Sequence, residues 1–207
     1  MLYDCRQHLY AAGHVYINYS ASFFDDFLAG FFFFFLSVIS VFFTARFLGA
    51  AFFDVIKLVN AINRDAPTWN LLGFVDDTAE VQGKTFMGYP VLGGRELIPK
   101  LNKEGVHFVN NVHGPRNKKI VADMLLANDC RIATLIHPNI DMDYVTVGMG
   151  SILPDGCIVG SGTKIGNFVT LRLRVLLSHD VKVEDYVFVG PGAIIGGETT
   201  LKEGAFI

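Results

Sequence analysis

The sequence predicts an α/β domain followed by a β-solenoid. Strand and helix signals alternate over residues 46–136, and an aliphatic residue returns at every sixth position within residues 137–207. With 207 residues, of which 51% are hydrophobic, the chain is long enough to bury one or two cores. The net charge of −3 argues against a nucleic-acid partner, because phosphate backbones require a basic surface.

The first predicted domain alternates helices with strands. Apolar residues at helical spacing in AFFDVIKLVNAIN (51–63) predict a helix, and the apolar run of residues 71–75 is typical of a buried parallel strand. Asp76 and Asp77 follow that strand directly. Ligands of doubly wound sheets bind beyond the carboxyl ends of the strands, so both aspartates are candidate ligand-binding residues. Capping of the turn after the strand is the alternative.

An uncharged apolar segment precedes this domain. Residues 27–45 carry no charge over about the length that crosses a bilayer as a helix. The acidic character of residues 1–26, which are otherwise unassigned, argues against a cleavable signal peptide. If the segment spans a membrane, the positive-inside tendency leaves the rest of the chain cytoplasmic and tethered to the inner face. The alternatives are a buried strand and helix pair, or sequence that is foreign to the functional protein.

The hexapeptide ladder is the strongest pattern in the chain. Counting in sixes from Val147 to Ile207, every position is aliphatic, and a small or β-branched residue stands four positions after each except the last. Such a repeat predicts a parallel β-helix with 18 residues in each coil, continuing beyond Ile207. Glycine often follows the aliphatic position, as at Gly160 and Gly166. We expect these glycines to make tight corners at positive φ.

Several segments together resemble a known family, namely TWNLLGFVDD (68–77), GKTFMGYPVLG (83–93), LIHPNI (135–140), SHDVKVEDYVFVGPGA (178–193) and the ladder. Over residues 46–207 the chain is similar to hexapeptide-repeat sugar acetyltransferases. These include sialic acid O-acetyltransferases and UDP-4-amino-sugar N-acetyltransferases of bacterial glycan synthesis. The resemblance implies a Rossmann-like domain for the nucleotide sugar, a left-handed β-helix for acetyl-CoA, and a homotrimer with active sites between neighbouring β-helices.

The implied reaction is transfer of an acetyl group from acetyl-CoA to an amino or hydroxyl group of a sugar or UDP-sugar, without a metal. His179 lies two residues past the ladder position Leu177, so we expect it at an exposed corner. There an imidazole suits removal of a proton from the attacking group, and the resemblance assigns it as the catalytic base. A structural surface histidine is the alternative.

The resemblance also implies roles for other residues. Asp180 accompanies the base, and Gly196 and Gly197 belong to the acetyl-CoA site. Gly197 is 18 residues beyond His179, hence one coil above, where its N–H would face the developing oxyanion. Gly49, in the first turn of the α/β domain, is expected to join Asp76 and Asp77 in binding the nucleotide sugar.

Other functions fit the sequence less well. A zinc β-helix enzyme needs a second histidine where this chain has Glu184, so no metal site is expected. Cys157 is at an inward position and is interpreted as core rather than as a nucleophile. Arg172 and Arg174 are candidates to meet coenzyme phosphates. The remaining alternative is a non-catalytic trimeric scaffold or degenerate sugar-nucleotide-binding protein, because GAAFFD (49–54) departs from the glycine-rich turn of the family.

Overall fold

A mostly parallel sheet forms the first part of the computed structural model, which describes residues 37–42, 50–64 and 66–207. Its strands lie in the order β3-β4-β2-β1-β5-β6, and β3 alone among the described strands of this sheet pairs in antiparallel fashion. The strands are β1 (Ser37–Phe42), β2 (Trp69–Val75), β3 (Thr85–Phe86), β4 (Tyr89–Gly93), β5 (His107–Asn110) and β6 (Arg131–Ile132). The helices are α1 (Ala50–Ile62), α2 (Ile98–Lys103) and α3 (Pro115–Ala127).

The strand order reverses direction at β1. The chain runs from β1 through α1 to β2 on one side, and later returns through β5 on the other side. Phe42, at the end of β1, is in register with Asn110, at the end of β5. The switch point of this sheet therefore lies between β1 and β5. Doubly wound sheets bind ligands in the crevice beyond the carboxyl ends of the strands at such a point.

The membrane-helix interpretation of residues 27–45 is wrong for the part that the structure describes. Residues 37–42 form the strand β1, which pairs with β2 on one side and β5 on the other. A central parallel strand buried on both faces is as continuously apolar as a membrane helix, so hydropathy does not separate the two. The α/β domain therefore includes residue 37 and does not begin at residue 46. Residues 1–36 and 43–49 lie outside the described residues.

None of the helices within residues 50–64 and 66–207 is both long enough and apolar enough to cross a bilayer.

The second part of the chain is the predicted parallel β-helix. Within residues 135–201, eleven two-residue strands form the stack, and each pairs with a strand of an adjacent coil. They are β7 (Leu135–Ile136), β8 (Thr146–Val147), β9 (Ile152–Leu153), β10 (Ile158–Val159), β11 (Lys164–Ile165), β12 (Thr170–Leu171), β13 (Leu176–Leu177), β14 (Lys182–Val183), β15 (Phe188–Val189), β16 (Ile194–Ile195) and β17 (Thr200–Leu201). From Leu153 to Leu201 every ladder residue is buried. The three stacked sheets fit a left-handed β-helix.

The glycines that follow the ladder positions have a different role from the predicted one. Left-handed φ values occur two residues later, at every sixth position from Tyr144 to Gly204, where Asp180 has φ +56°. Gly160 is not among the positive-φ residues, but a Cβ there would lie 2.6 Å from the backbone N of His179. Stacked coils approach so closely at this position that a side chain does not fit.

The two parts of the molecule share a packed and charged interface. Ala122 of α3 packs against Phe168 and Tyr186, which project from corners of the β-helix. The Arg172 guanidinium, beyond β12, forms an ion pair with Asp54 of α1. Arg172 therefore joins the two parts through this ion pair, and its contact with coenzyme phosphates stays a prediction.

Candidate active site

His179 projects from a corner of the β-helix, as its position in the hexad predicts. Leu177 is fully buried in β13, whereas the His179 side chain is 62% exposed. The left-handed backbone at Asp180 turns the chain from β13 toward β14. Aspartate tolerates this conformation better than most residues, because its short polar side chain bonds locally. The corner thereby presents an imidazole and a carboxylate next to each other.

The two side chains form a hydrogen-bonded pair. His179 Nδ1 lies 3.0 Å from Asp180 Oδ2. An ionised carboxylate only accepts hydrogen bonds, so the pairing places a proton on Nδ1 and leaves the lone pair of a neutral ring on Nε2. Nε2 has no hydrogen-bond partner within the part of the chain that the structure describes. The pair thus offers an oriented imidazole with a free basic nitrogen.

Gly197 lies directly against the His179 ring, one coil above. A Cβ at position 197 would lie 2.7 Å from His179 Nε2 and 2.8 Å from Cε1. Glu198 N, the next amide, donates to the His179 carbonyl oxygen at 3.1 Å and holds the two coils together. A side chain at 197 would therefore displace the His179 ring from this position.

Gly196 differs from Gly197 in its surroundings. A Cβ at Gly196 would meet no atom within 4 Å, so a side chain there would leave the His179 ring in place. The roles of Gly196 and Gly197 in binding acetyl-CoA stay predictions.

A thiol nucleophile does not compete with His179 in the β-helix. Cys157 is buried at the inward position that the repeat predicts, and its Sγ lies 3.3 Å from the Arg172 carbonyl oxygen. Burial raises the pKa of the Cys157 thiol to about 11. The thiol therefore stays protonated at neutral pH, and a thiol is a poor nucleophile compared with a thiolate.

Asp76 forms a second polar site, at the carboxyl end of β2. Its side chain is 1% exposed, and Oδ1 accepts a hydrogen bond from Thr78 N at 2.8 Å. Oδ2 is buried and has no partner among the described residues. Buried acceptors are rarely left unpaired, so Asp76 Oδ2 is a candidate acceptor at this edge of the sheet, and its contact with a ligand stays a prediction.

Asp77 has its own partner within the protein. Oδ1 accepts from Arg95 N at 2.8 Å, and Oδ2 accepts from Arg95 Nε at 2.7 Å and also from Nη2. The hydrogen bonds from the Arg95 side chain hold the pKa of Asp77 below its usual value. Asp77 thus ties the chain beyond β2 to the chain beyond β4, and its contact with a substrate stays a prediction.

Gly49 lies outside the described residues, so its predicted role in binding the nucleotide sugar stays a prediction.

Lys118 is a buried residue that the sequence analysis does not predict. It is fully buried near the switch point, where Nζ donates to the Asn110 carbonyl oxygen at 2.8 Å. Lys119, its neighbour on α3, is exposed. The helical periodicity of Val121, Ala122 and Leu125 is the sequence signal that separates the two lysines.

Comparisons with known proteins agree with this architecture. No protein-family model matches the chain. Over 158 residues it is 28% identical to the GDP-perosamine N-acetyltransferase of Escherichia coli O157:H7, and the alignment covers 74% of this chain and 69% of that relative.

Two solved structures share most of the fold. The acetyltransferase domain of PglB from Neisseria gonorrhoeae FA1090 matches with a TM-score of 0.71 at 23% identity, covering 82% of this chain and 78% of that one. A variant of perosamine N-acetyltransferase from Caulobacter crescentus, in complex with CoA and GDP-perosamine, matches with a TM-score of 0.70 at 19% identity. That match covers 82% of this chain and 76% of the other. Both matches establish a common fold.

Proposed function

The chain belongs to the hexapeptide-repeat sugar acetyltransferases, and from this premise we propose that it transfers an acetyl group from acetyl-CoA to an amino or hydroxyl group of a nucleotide sugar in bacterial glycan synthesis. The observation that carries the proposal is the corner formed by His179, Asp180 and Gly197. It combines an exposed basic nitrogen, a carboxylate that orients it, and a glycine of the next coil that lies against the ring.

The proposed mechanism is direct attack with His179 as general base. His179 Nε2 takes the proton of the acceptor N–H or O–H while the acceptor lone pair bonds to the thioester carbonyl carbon. Asp180 stabilises the imidazolium through Nδ1–H. The Gly197 N–H stabilises the negative charge on the carbonyl oxygen. When the C–S bond breaks, the imidazolium returns the proton to the departing CoA thiolate, so atoms and charges balance.

The nucleotide sugar is proposed to bind in the α/β domain, which we interpret as Rossmann-like. The buried Asp76 Oδ2 supports this, because nucleobase N–H and ribose O–H groups are the donors that an orphan carboxylate oxygen accepts. The solved relative that carries GDP-perosamine supports the same ligand class. The acceptor would then extend from this domain toward a His179 corner.

Replacing Asp76 by asparagine is expected to weaken nucleotide-sugar binding by about tenfold or more, because an amide donor would replace the orphan acceptor. Titration calorimetry with UDP-N-acetylglucosamine and GDP-mannose measures the effect. Acetyl-CoA affinity in the same variant serves as the control and should not change. Equal nucleotide affinity in the wild type and the variant would remove Asp76 from the site.

A homotrimer is proposed from an apolar row next to His179. Ile158, Leu176 and Ile194 stack on successive coils of the β10-β13-β16 sheet and face outward. Ile158 is 62% exposed and Ile194 is 75% exposed, and an exposed row of this kind marks an interaction surface. A neighbouring β-helix packed on this row would enclose the adjacent His179 corner, so the active site would lie between subunits.

Replacing Ile194 by lysine is expected to dissociate the trimer, because it places a charge in the apolar contact. Sedimentation velocity measures the result, with activity expected to fall together with assembly. Lys164→Glu, on the outward face of β11, is the matched control and should leave the trimer intact. A trimer that survives the Ile194 substitution would mean that subunits associate through another face.

The proposed function itself is tested by mixing the purified protein with acetyl-CoA and a panel of UDP- and GDP-linked amino and deoxy sugars. Release of free CoA that depends on the acceptor, with an acetylated product by mass spectrometry, is the expected result. A folded protein that binds neither acetyl-CoA nor any nucleotide sugar would favour the scaffold alternative. Binding without transfer would retain the ligand sites but reject the proposed chemistry.

A further inference from the structure

Lys118 is a buried amine that the proposed chemistry does not use. The residue is 1% exposed, although lysines are almost never fully buried without a partner. Its Nζ donates to the Asn110 carbonyl oxygen at 2.8 Å, and Asn110 Nδ2 donates back to the Lys118 carbonyl oxygen at 2.8 Å. These reciprocal bonds hold the first turn of α3 against the end of β5.

This arrangement puts the Lys118 amino group at the switch point of the sheet. Asn110 is the last residue of β5 and is in register with Phe42, the last residue of β1. An atom 2.8 Å from the Asn110 carbonyl oxygen therefore lies beside the carboxyl ends of both strands. In doubly wound sheets the phosphates of a nucleotide ligand bind beyond this edge.

The described charges around Lys118 offer its ammonium form no anion. Arg172, from the β-helix, is close enough to act on Lys118, but Arg172 is itself paired with Asp54 of α1. From β5 the contact is the uncharged Asn110, and the neighbouring Lys119 points away, over the Tyr186 ring. Among the described residues no carboxylate forms an ion pair with Lys118. Burial and then Arg172 lower the pKa of Lys118 to about 7.

We propose that Lys118 takes up a proton when the diphosphate of a nucleotide sugar occupies the crevice beyond β1 and β5, so that it becomes the internal counter-charge of the bound anion. The inference rests on the proposed function, since it requires that the crevice binds a nucleotide sugar. Lys118 acts as a positioning residue here. It touches the protein backbone at the base of the crevice and acts on the ligand through its charge.

The sign of the pH dependence follows from this linkage. If the complex holds one proton more than the free protein, its formation becomes harder as protons become scarce. Affinity for the nucleotide sugar should therefore fall as the pH rises from about 7 to about 9, by up to tenfold per pH unit. An arginine at 118 stays protonated throughout this range, so its affinity should be independent of pH.

The experiment is calorimetric titration of the full chain with GDP-mannose and with UDP-glucose, whose diphosphate esters do not titrate near neutral pH. Each titration is repeated at about pH 8 in two buffers of different ionisation enthalpy, which yields the number of protons exchanged. The wild type should take up between ~0.5 and 1 proton per bound ligand. Lys118→Arg should bind without proton uptake, and Lys118→Met should bind about tenfold more weakly, also without uptake.

Lys119→Met is the matched control, because Lys119 is the exposed neighbour on the same helix and should leave proton uptake unchanged. Thermal unfolding of each variant verifies the fold. Nucleotide binding by the wild type without proton uptake, or uptake that persists in Lys118→Arg, overturns the inference and leaves the proposed function standing. A folded wild type that binds neither nucleotide sugar overturns the nucleotide site and this inference together.

Discussion

Replacing His179 by alanine is expected to lower kcat by a factor on the order of 10² to 10⁴, the range typical of a positioned general base. The physical reason is the loss of the free Nε2, which is the basic nitrogen that the corner exposes. The KM for each substrate should change little, because the ring is proposed to act on the transferred proton. Steady-state release of CoA with a saturating acceptor measures this effect.

The folded state should tolerate the His179 change. The side chain is largely exposed and its pair with Asp180 is in contact with water, so the melting temperature should stay close to that of the wild type. Asp180→Asn is the graded comparison, because asparagine also tolerates the left-handed backbone at this corner. We expect an intermediate loss of kcat from a less well oriented ring. Unchanged turnover in the alanine variant would rule out His179 as the base.

Replacing Gly197 by alanine is expected to lower kcat by about 10- to 100-fold, although no chemical group is removed. The added Cβ would lie 2.7 Å from His179 Nε2, a distance that real Cβ contacts do not show, so the ring must move from its position. A displaced imidazole no longer meets the acceptor proton at hydrogen-bond distance. Kinetics with both substrates at saturation isolate this effect from binding.

Gly196→Ala is the matched comparison for the Gly197 change. A Cβ at 196 meets no protein atom within 4 Å, so the His179 ring stays in place. Because Gly196 is proposed to lie along the coenzyme, its substitution should raise the KM for acetyl-CoA and leave kcat nearly unchanged. If the two alanine variants show the same split between kcat and KM, displacement of the ring is not the cause.

The hexapeptide ladder shows that a periodic sequence predicts which side chains are buried and which residues stack on adjacent coils. Each aliphatic side chain of the ladder from Leu153 to Leu201 packs inside the β-helix, and residues 18 apart lie on adjacent coils. The position of His179 within its hexad was therefore enough to predict an exposed corner with Gly197 above it. Side-chain burial repeats with the backbone in such a fold, so a local pattern reports on tertiary position.

Other features could not be predicted from the sequence, because they depend on which residues are neighbours in space. The apolar segment that contains β1 is suited to a bilayer or to the centre of a parallel sheet, and the pairing with β2 and β5 decides between them. The sequence predicts that the glycines after the ladder positions make turns. In the structure, the next coil approaches Gly160 and Gly166 so closely that a Cβ does not fit there. The orphan oxygen of Asp76 depends on which donors the folded chain leaves near it.

The β-helix, its coil length and the corner that bears His179 can all be predicted from the amino-acid sequence, because a strict hexapeptide period permits few other ways to bury its aliphatic residues. The pairing of Arg172 with Asp54, the contact of Asp77 with Arg95 and the burial of Lys118 at the switch point are visible only in the folded chain. Charged side chains follow no period along the chain. Their partners are set by which elements meet in space, and the energy of burying a charge depends on those partners.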